Sequence, residues 1–237
     1  MRLSIIVPAH NEQENIAEVI HRIGGSLKIG HELVVVNDHS TDSTPEIVSG
    51  LARQYPNLRL VSNTLEKGFA NTIRAGFANV KTEVVIPVMA DLCDDLATIE
   101  AMFEKINEGY DVVCGCRYTD KGARLGGSRL KGFLSRLGGR SIHYLSGIPT
   151  YDVANAFKMY RREVIEAMDI KAGGFEISME ILLKAYYLGF KITEVPTVWR
   201  ERTKGKSNFK IFKLLPNYLK LYIWAIYKSF TRKRANK

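Results

Sequence analysis

The residues in this chain best suited to chemistry follow an apolar run. Residues 84–89 lead into Ala90-Asp91-Leu92-Cys93-Asp94-Asp95, which places three carboxylates within five positions. An apolar run that stops abruptly in acids reads as a strand of a parallel sheet whose C-terminal end meets solvent. That edge is where open α/β sheets bind ligands. Carboxylates there either hold a hard cation against a diphosphate or cap the next helix. Asp95 suits the cap of a helix starting near Leu96, which leaves Asp91, helped by Asp94, for a cation. Two more apolar runs end in polar residues: Pro8-Ala9-His10-Asn11-Glu12 and Asn37-Asp38-His39-Ser40-Thr41-Asp42. Asp38, Ser40 and Asp42 offer side-chain oxygens to a ligand at such a strand end. A plain turn and helix cap is the other reading of Asp38, Ser40 and Asp42. Lys67-Gly68 at the start of a helical pattern suits an anion, through the charge and the free N–H groups, or is an ordinary turn.

The elements that must position these groups follow a regular rhythm. Apolar runs at 3–7, 33–36, 58–61, 84–89 and 112–115 alternate with helical patterns at 14–23, 45–55, 69–80 and 96–107. Thr44-Pro45 marks a helix start, with Thr44 as cap and proline at the first helical position. Continuous apolar strands alternating with helices imply parallel βα units and a sheet covered on both faces. After Gly115 the rhythm breaks. Residues 117–131 are rich in Gly, Arg and Lys and read as a loop, followed by a helix at 132–145 and an irregular stretch at 146–155. A helix at 177–188 and a strand at 191–195 come next. No internal repeat or low-complexity tract is visible.

The formal net charge of +9 is unevenly spread. Residues 200–237 hold twelve Lys or Arg against one acid, whereas residues 1–199 hold 22 basic and 24 acidic groups. A near-neutral body with a basic tail suits an anionic membrane surface or a phosphorylated ligand and argues against nucleic acid. Cys93, Cys114 and Cys116 fit reduced thiols, not a disulfide framework or a zinc site. No signal peptide is evident, and no segment has the ~20 apolar residues needed to span a bilayer. The tail stretch 217–230 is apolar on a broad helical face, and at ~14 residues it suits a membrane interface, a dock on the body or a dimer contact.

The strand ends taken together resemble the nucleotide-sugar site of inverting GT-A glycosyltransferases of family 2, in particular the branch that glycosylates dolichyl or polyprenyl phosphate. The resemblance covers about residues 3–208. It implies an α/β, Rossmann-like fold, a mostly parallel sheet with helices on both faces, as a GT-A domain over 1–208 with an amphipathic basic tail over 209–237. Carried over onto this sequence, the nucleotide-sugar residues are Pro8, Ala9, His10, Glu12, Val36, Asp38, Lys67, Ala90, Asp91, Arg202 and Lys206. His10 stands where the family usually has Tyr, and Asn37 where it often has Asp. The Asp-X-Asp metal motif reads Met89-Ala90-Asp91, so the first carboxylate is absent. Asp91 is then the principal ligand for Mg²⁺ or Mn²⁺, with Asp94, and Cys93 replaces a frequent polar residue. Gly115-Cys116-Arg117 resembles the strand ending in Gly-X-Arg, which implies a phosphate-binding Arg117 on the acceptor side, joined by Arg129, Ser135 and Arg136. Residues 152–158 match an Asp…Gly-Phe-Arg element, Gly173-Gly174-Phe175-Glu176 with Glu180 a helix that closes the site, and residues 202–208 a loop that folds over the pyrophosphate.

The implied reaction moves a hexose, with inversion, from a donor of the GDP-mannose or UDP-glucose type to a polyprenyl or dolichyl phosphate. Asp91 and Arg117 are its catalytic residues. The second pKa of a phosphate monoester is about 6, so the acceptor is already ionised and needs no strong base. Two other readings stay open: a family 2 transferase acting on a sugar hydroxyl, and a non-catalytic nucleotide-sugar or membrane-surface protein with a degraded metal site. The expected location is peripheral, on the cytoplasmic face of a membrane, with a homodimer or a separate membrane-anchor partner left open.

Overall fold

A computed structural model describes residues 1–202 and 211–235. Lys206, the rest of the expected 202–208 loop beyond Arg202 and the boundary between 208 and 209 lie outside the described residues. In chain order the first half runs β1 (Leu3–Ala9), α1 (Ile16–Ser26), β2 (His31–Asn37), α2 (Thr44–Leu51), β3 (Leu58–Ser62), α3 (Phe69–Asn79), β4 (Val84–Pro87), α4 (Thr98–Asn107) and β5 (Val112–Cys116). The second half runs β6 (Ala123–Leu125), α5 (Arg129–Ser146), β7 (Lys158–Arg161), α6 (Arg162–Glu166), α7 (Ile177–Leu188), β8 (Ile192–Pro196), β9 (Val198–Arg200) and α8 (Ile211–Ala235).

Among the described residues seven strands form one sheet in the order β3-β2-β1-β4-β7-β5-β8. All pairings are parallel except those of β7, which runs antiparallel between β4 and β5. The apolar runs are continuous because the sheet is buried on both faces. Ile5, Val35 and Ile86 pack toward α1, α2 and α4, while Ile6, Val34 and Val85 face the side of α3, α5, α7 and α8. The order reverses at β1, which has β2 on one side and β4 on the other. The C-terminal ends of β1, β2 and β4 therefore gather their polar residues around one crevice, as such switch points do.

Several elements depart from the sequence reading. Within 117–131, expected as a loop, β6 pairs with β9 in a separate two-stranded parallel sheet, and α5 starts at Arg129, three residues early. The Ser128 hydroxyl accepts the Lys131 N–H, at 3.4 Å, and so caps α5. Strand β7 has no counterpart in the expected elements. Thr44 is the first residue of α2 instead of its cap, and its hydroxyl donates to Asp42 Oδ1. At Gly139 α5 meets the 151–152 segment backbone to backbone, since a Cβ there would lie 2.0 Å from the Tyr151 carbonyl oxygen.

The tail helix is 25 residues long, well beyond the expected 217–230. It docks through Tyr218, Leu221, Tyr222, Trp224 and the fully buried Ala225. Tyr222 donates to Ser141 Oγ at 2.9 Å and Ser229 to the Leu145 carbonyl at 2.8 Å. Its other side exposes Leu219, Ile223, Tyr227 and Phe230, and α5 likewise exposes Leu130, Phe133, Leu137 and Tyr144. Among the described residues no helix is long and apolar enough to cross a membrane.

Candidate active site

A cavity of about 1050 Å³ opens at the C-terminal edge of the sheet. Pro8, Ala9, His10 and Glu12 form its first wall. That loop is strapped to the end of β2: the Glu12 N–H donates to Thr44 Oγ1 (2.9 Å), the Gln13 N–H to Asp42 Oδ2 (3.1 Å), and the Thr41 N–H to Asn11 Oδ1 (2.8 Å). Burial pushes the Asp42 carboxyl up, but hydrogen bonds from Thr44 and Gln13 outweigh it and hold the group below the ordinary carboxylate range. Asp42 therefore serves the turn. Non-glycine residues in the left-handed region occur in all three strand-end loops: Asn11 (φ 54), His39 (φ 53) and Leu92 (φ 60). Leucine is poorly suited to that region, and such strain collects at functional sites.

Asp38 is 6% exposed and lines the cavity. Its carboxylate accepts from Asn63 Nδ2 (2.8 Å) and from the Gly68 N–H (3.0 Å). It thereby anchors the Lys67-Gly68 turn, where Gly68 takes φ 152, a value that L side chains rarely adopt. His10 Nδ1 lies 2.7 Å from the Asp38 carbonyl oxygen, which only accepts, so Nδ1 carries the proton and Nε2 is left for other partners.

Leu92 turns the chain after β4 so that Asp91 Oδ1 accepts the Cys93 N–H at 3.1 Å. Asp94 Oδ2 accepts the Met89 N–H at 3.4 Å, and both carboxylates line the cavity. Burial and the neighbouring Asp91 carboxylate push Asp94 up to about 7. Burial, then the Asp91 charge, pushes the Cys93 thiol up, so it stands protonated. Asp95 is not the cap expected of it: α4 begins at Thr98 with Ala97 at its N-cap and no side-chain cap bond, and Asp95 serves the preceding turn by accepting the Ala97 N–H at 3.2 Å. Among the described residues no three His, Cys, Asp or Glu side chains converge on one point. Two neighbouring carboxylates nonetheless fit Mg²⁺ or Mn²⁺, because Mg²⁺ takes one or two protein carboxylates together with phosphate oxygens.

Opposite them, Arg117 is clasped by the fully buried Asp152. Nε donates to Oδ2 (2.7 Å), Nη2 to Oδ1 (2.8 Å) and the backbone N–H to Oδ2 (3.0 Å). Arg117 Nη2 also reaches Ser135 Oγ at 3.3 Å. Burial opposes the guanidinium charge, and the Asp152 carboxylate more than restores it. Arg124, Lys131 and Trp199 line the same wall, with Arg124 stacked 4.9 Å over the Trp199 ring. Arg202 bonds Glu12 across the mouth at 3.1 Å. The lining from α5, α7, α8 and the loop after α5 is apolar, with Leu134, Ile142, Val153, Met179 and Tyr222.

The cavity thus brings together Pro8, Ala9, His10, Glu12, Asp38, Lys67, Ala90, Asp91, Asp94, Arg117 and Arg202. It leaves out three expected residues. Val36 is wholly buried in the sheet core, and Arg129 and Arg136 lie exposed on α5, off the cavity. Lys131 and Ser135 take the cavity face instead. The sequence reading missed Arg124, Lys131 and Trp199. The spacing of Lys131 and Ser135, four apart on one helix face, was the available signal.

Phe69 and Phe175 stack face to face (centroids 4.5 Å, 13°) where α3 and α7 begin, at the cavity wall. Glu180 holds the segment before α7, accepting the N–H groups of Lys171 (3.0 Å) and Ala172 (2.6 Å) and pairing with Lys184 (2.6 Å). Burial pushes this carboxyl up, but its hydrogen bonds win and hold it below 4.5. A depressed carboxylate stabilises the fold above its unfolded pKa and loses that contribution as pH falls through the folded value. Glu180→Gln is expected to lower stability at pH 6 by about 1–3 kcal/mol. It should also flatten the loss of stability as pH falls below the ordinary carboxylate range, as measured by urea denaturation at each pH.

This architecture, a mostly parallel sheet with carboxylates at the end of β4 and cations across a crevice, agrees with a family model described as glycosyl transferase family 2, which matches residues 4–169. The chain belongs to glycosyl transferase family 2. It is 32% identical over 232 residues to a dolichol-phosphate mannosyltransferase of Pyrococcus furiosus, covering 94% of this chain and 64% of that protein. It therefore spans less than two thirds of that relative's length. A polyprenol monophosphomannose synthase of Mycolicibacterium smegmatis is 25% identical over 240 residues, covering 98% of this chain and 90% of that protein. Among solved structures, glucosyl-3-phosphoglycerate synthase of Mycobacterium tuberculosis, in complex with Mn²⁺, UDP and glucosyl-3-phosphoglycerate, matches with a TM-score of 0.68 at 18% identity, over 98% of this chain and 79% of that one. The family 2 chain thus has the GT-A fold that its sequence implied.

Proposed function

We propose that this chain transfers a hexose, with inversion, from a nucleoside diphosphate sugar to the phosphate of a polyprenyl lipid at a membrane surface. The observation that carries the reading is the continuity of the cavity. It joins the Asp91 and Asp94 carboxylates, Arg117, Lys131 and Ser135, and an apolar bay lined from α5, α7 and α8. A sugar nucleotide fits the first part, a phosphate the second and an isoprenoid chain the third. The names of the two relatives, which act on dolichol phosphate and form a polyprenol monophosphomannose, support the same acceptor.

In this reading the loop at Pro8–His10 and Asp38 hold the nucleoside. Asp91, with Asp94, would hold Mg²⁺ or Mn²⁺. When bound, that cation would neutralise charge on the leaving diphosphate. Arg117, fixed by Asp152, offers its remaining Nη1 edge to the acceptor phosphate and offsets the repulsion between two anions. An acceptor oxygen forms the bond to the anomeric carbon as the diphosphate oxygen leaves with the bonding pair. The acceptor's second pKa of about 6 removes the need for a side-chain base.

The exposed apolar residues of α5 and α8, with Lys220 and Lys228 between them, suit an anionic bilayer interface on the cytoplasmic side. Flotation with anionic liposomes tests this. The double variant Phe133→Asp, Ile223→Asp is expected to lose most of the bound fraction, and undiminished flotation would overturn the membrane role. Transfer is tested by offering GDP-mannose and UDP-glucose with a prenyl phosphate, with and without Mg²⁺. A second reading, transfer to a sugar hydroxyl, is favoured by Asp94, whose carboxyl near 7 suits a general base. Product made with a glycoside acceptor but none with prenyl phosphate would select it. No Mg²⁺-dependent binding of a nucleoside diphosphate would select a non-catalytic protein.

A further inference from the structure

Under the floor of the cavity, Lys158 opens β7 fully buried. Its ammonium group donates to two main-chain carbonyls of the preceding loop, Val153 at 3.1 Å and Asn155. The Asn155 side chain ties the same loop to the Gly115 carbonyl at 2.8 Å. In a planar trans peptide the carbonyl of one residue and the N–H of the next point in opposite directions. With the Val153 and Asn155 carbonyls turned down onto Lys158, the N–H groups of Ala154 and Ala156 must turn away from it. Ala154 and Ala156 both line the cavity, whereas Asn155 between them is buried. Among the described residues neither alanine N–H has an acceptor. Alanine side chains are small enough to let a ligand reach the backbone, and a backbone N–H turned to a cavity is a donor that a phosphate oxygen can accept.

We infer that the Ala154 and Ala156 amides form a cradle for the acceptor's phosphate, and that Lys158 is the positioning residue that aims them. The assignment rests on the transfer reading above. The loop starts at Asp152, the partner of Arg117, and its Val153 borders the apolar bay, so a phosphate seated there has its lipid chain directed into that bay. Arg117 and Lys158 lie at this floor with Asp152, while the Glu194 carboxylate is turned to the far end of the loop, where it accepts the Tyr151 N–H at 2.9 Å.

The test uses the full chain labelled with ¹⁵N-alanine, the two resonances being assigned with Ala154→Gly and Ala156→Gly. Titration with a short prenyl phosphate is expected to move both amide protons downfield, well beyond the other alanines. Inorganic phosphate should produce the same movement only at higher concentration, and a nucleoside diphosphate should leave both in place. In kinetics, Lys158→Met is expected to raise KM for prenyl phosphate about tenfold with KM for the sugar nucleotide unchanged, and Lys158→Arg to restore most of the loss. Prenyl phosphate that binds and is glycosylated without moving the two amides overturns this inference and leaves the transfer reading standing. Failure of prenyl phosphate to bind at all overturns both. Equal movement with a nucleoside diphosphate overturns the assignment to the acceptor. The labelled wild-type titration decides the matter even where the Lys158→Met chain does not fold.

Discussion

Asp91→Asn is expected to slow sugar transfer about a thousandfold and to abolish its dependence on a divalent cation, while the chain stays folded. The Asp91 carboxylate accepts the Cys93 N–H at 3.1 Å, and the asparagine Oδ1 can keep that bond. What is lost is charge. With Met89 where a second acid would stand, Asp91 and Asp94 are the carboxylates after β4 that line the cavity, and burial and Asp91 itself push the Asp94 carboxyl up to about 7. Removing the Asp91 charge relieves Asp94, so the fold gains slightly where the site loses its principal anion. Initial rates with a labelled sugar nucleotide, measured with and without Mg²⁺, check the expectation. Turnover close to that of the unaltered chain would remove the cation role assigned to Asp91. Asp94→Asn is expected to act in the same direction with a smaller effect, since its carboxyl already carries less than a full charge near pH 7.

The sheet and its three polar strand ends were legible because β1, β4, β5 and the middle of β2 are buried on both faces and read as uninterrupted apolar runs. The acids after β4 stood out for the same reason. Strand β7 was not legible: Lys-Met-Tyr-Arg begins and ends in a charge, and nothing local reveals that Lys158 is buried on the carbonyls of its own preceding loop. The faces of α5 were equally hidden. Helical spacing groups Arg129 with Arg136 and Lys131 with Ser135, but which pair meets the cavity is set by the close approach of Gly139 to Tyr151. The tail read as an apolar helix with three uses. It has room for two of them at once, since Tyr218, Tyr222 and Ala225 dock while Ile223, Tyr227 and Phe230 stay exposed.

Asp152→Ala is expected to destabilise the fold by about 3–5 kcal/mol, the range for removing one partner of a buried ion pair. Asp152 is 0% exposed and the Arg117 side chain 12%, so water cannot readily replace the lost carboxylate. Three hydrogen bonds from Arg117 end on Asp152, and the substitution leaves a guanidinium with Ser135 at 3.3 Å as its remaining neighbour on that side. Arg117→Ala should destabilise less, because the backbone N–H of residue 117 still donates to Asp152 Oδ2, at 3.0 Å in the unaltered chain. The double variant should be more stable than the sum of the two single losses implies, and a guanidinium chloride double-mutant cycle measures that coupling. Additive losses would mean that the pair does not act as a unit. Activity separates the roles further. With the fold intact at low temperature, Asp152→Ala should raise KM for the acceptor more than for the sugar nucleotide, because the freed Arg117 can swing toward the Asp94 carboxylate and away from the place where an acceptor phosphate would sit.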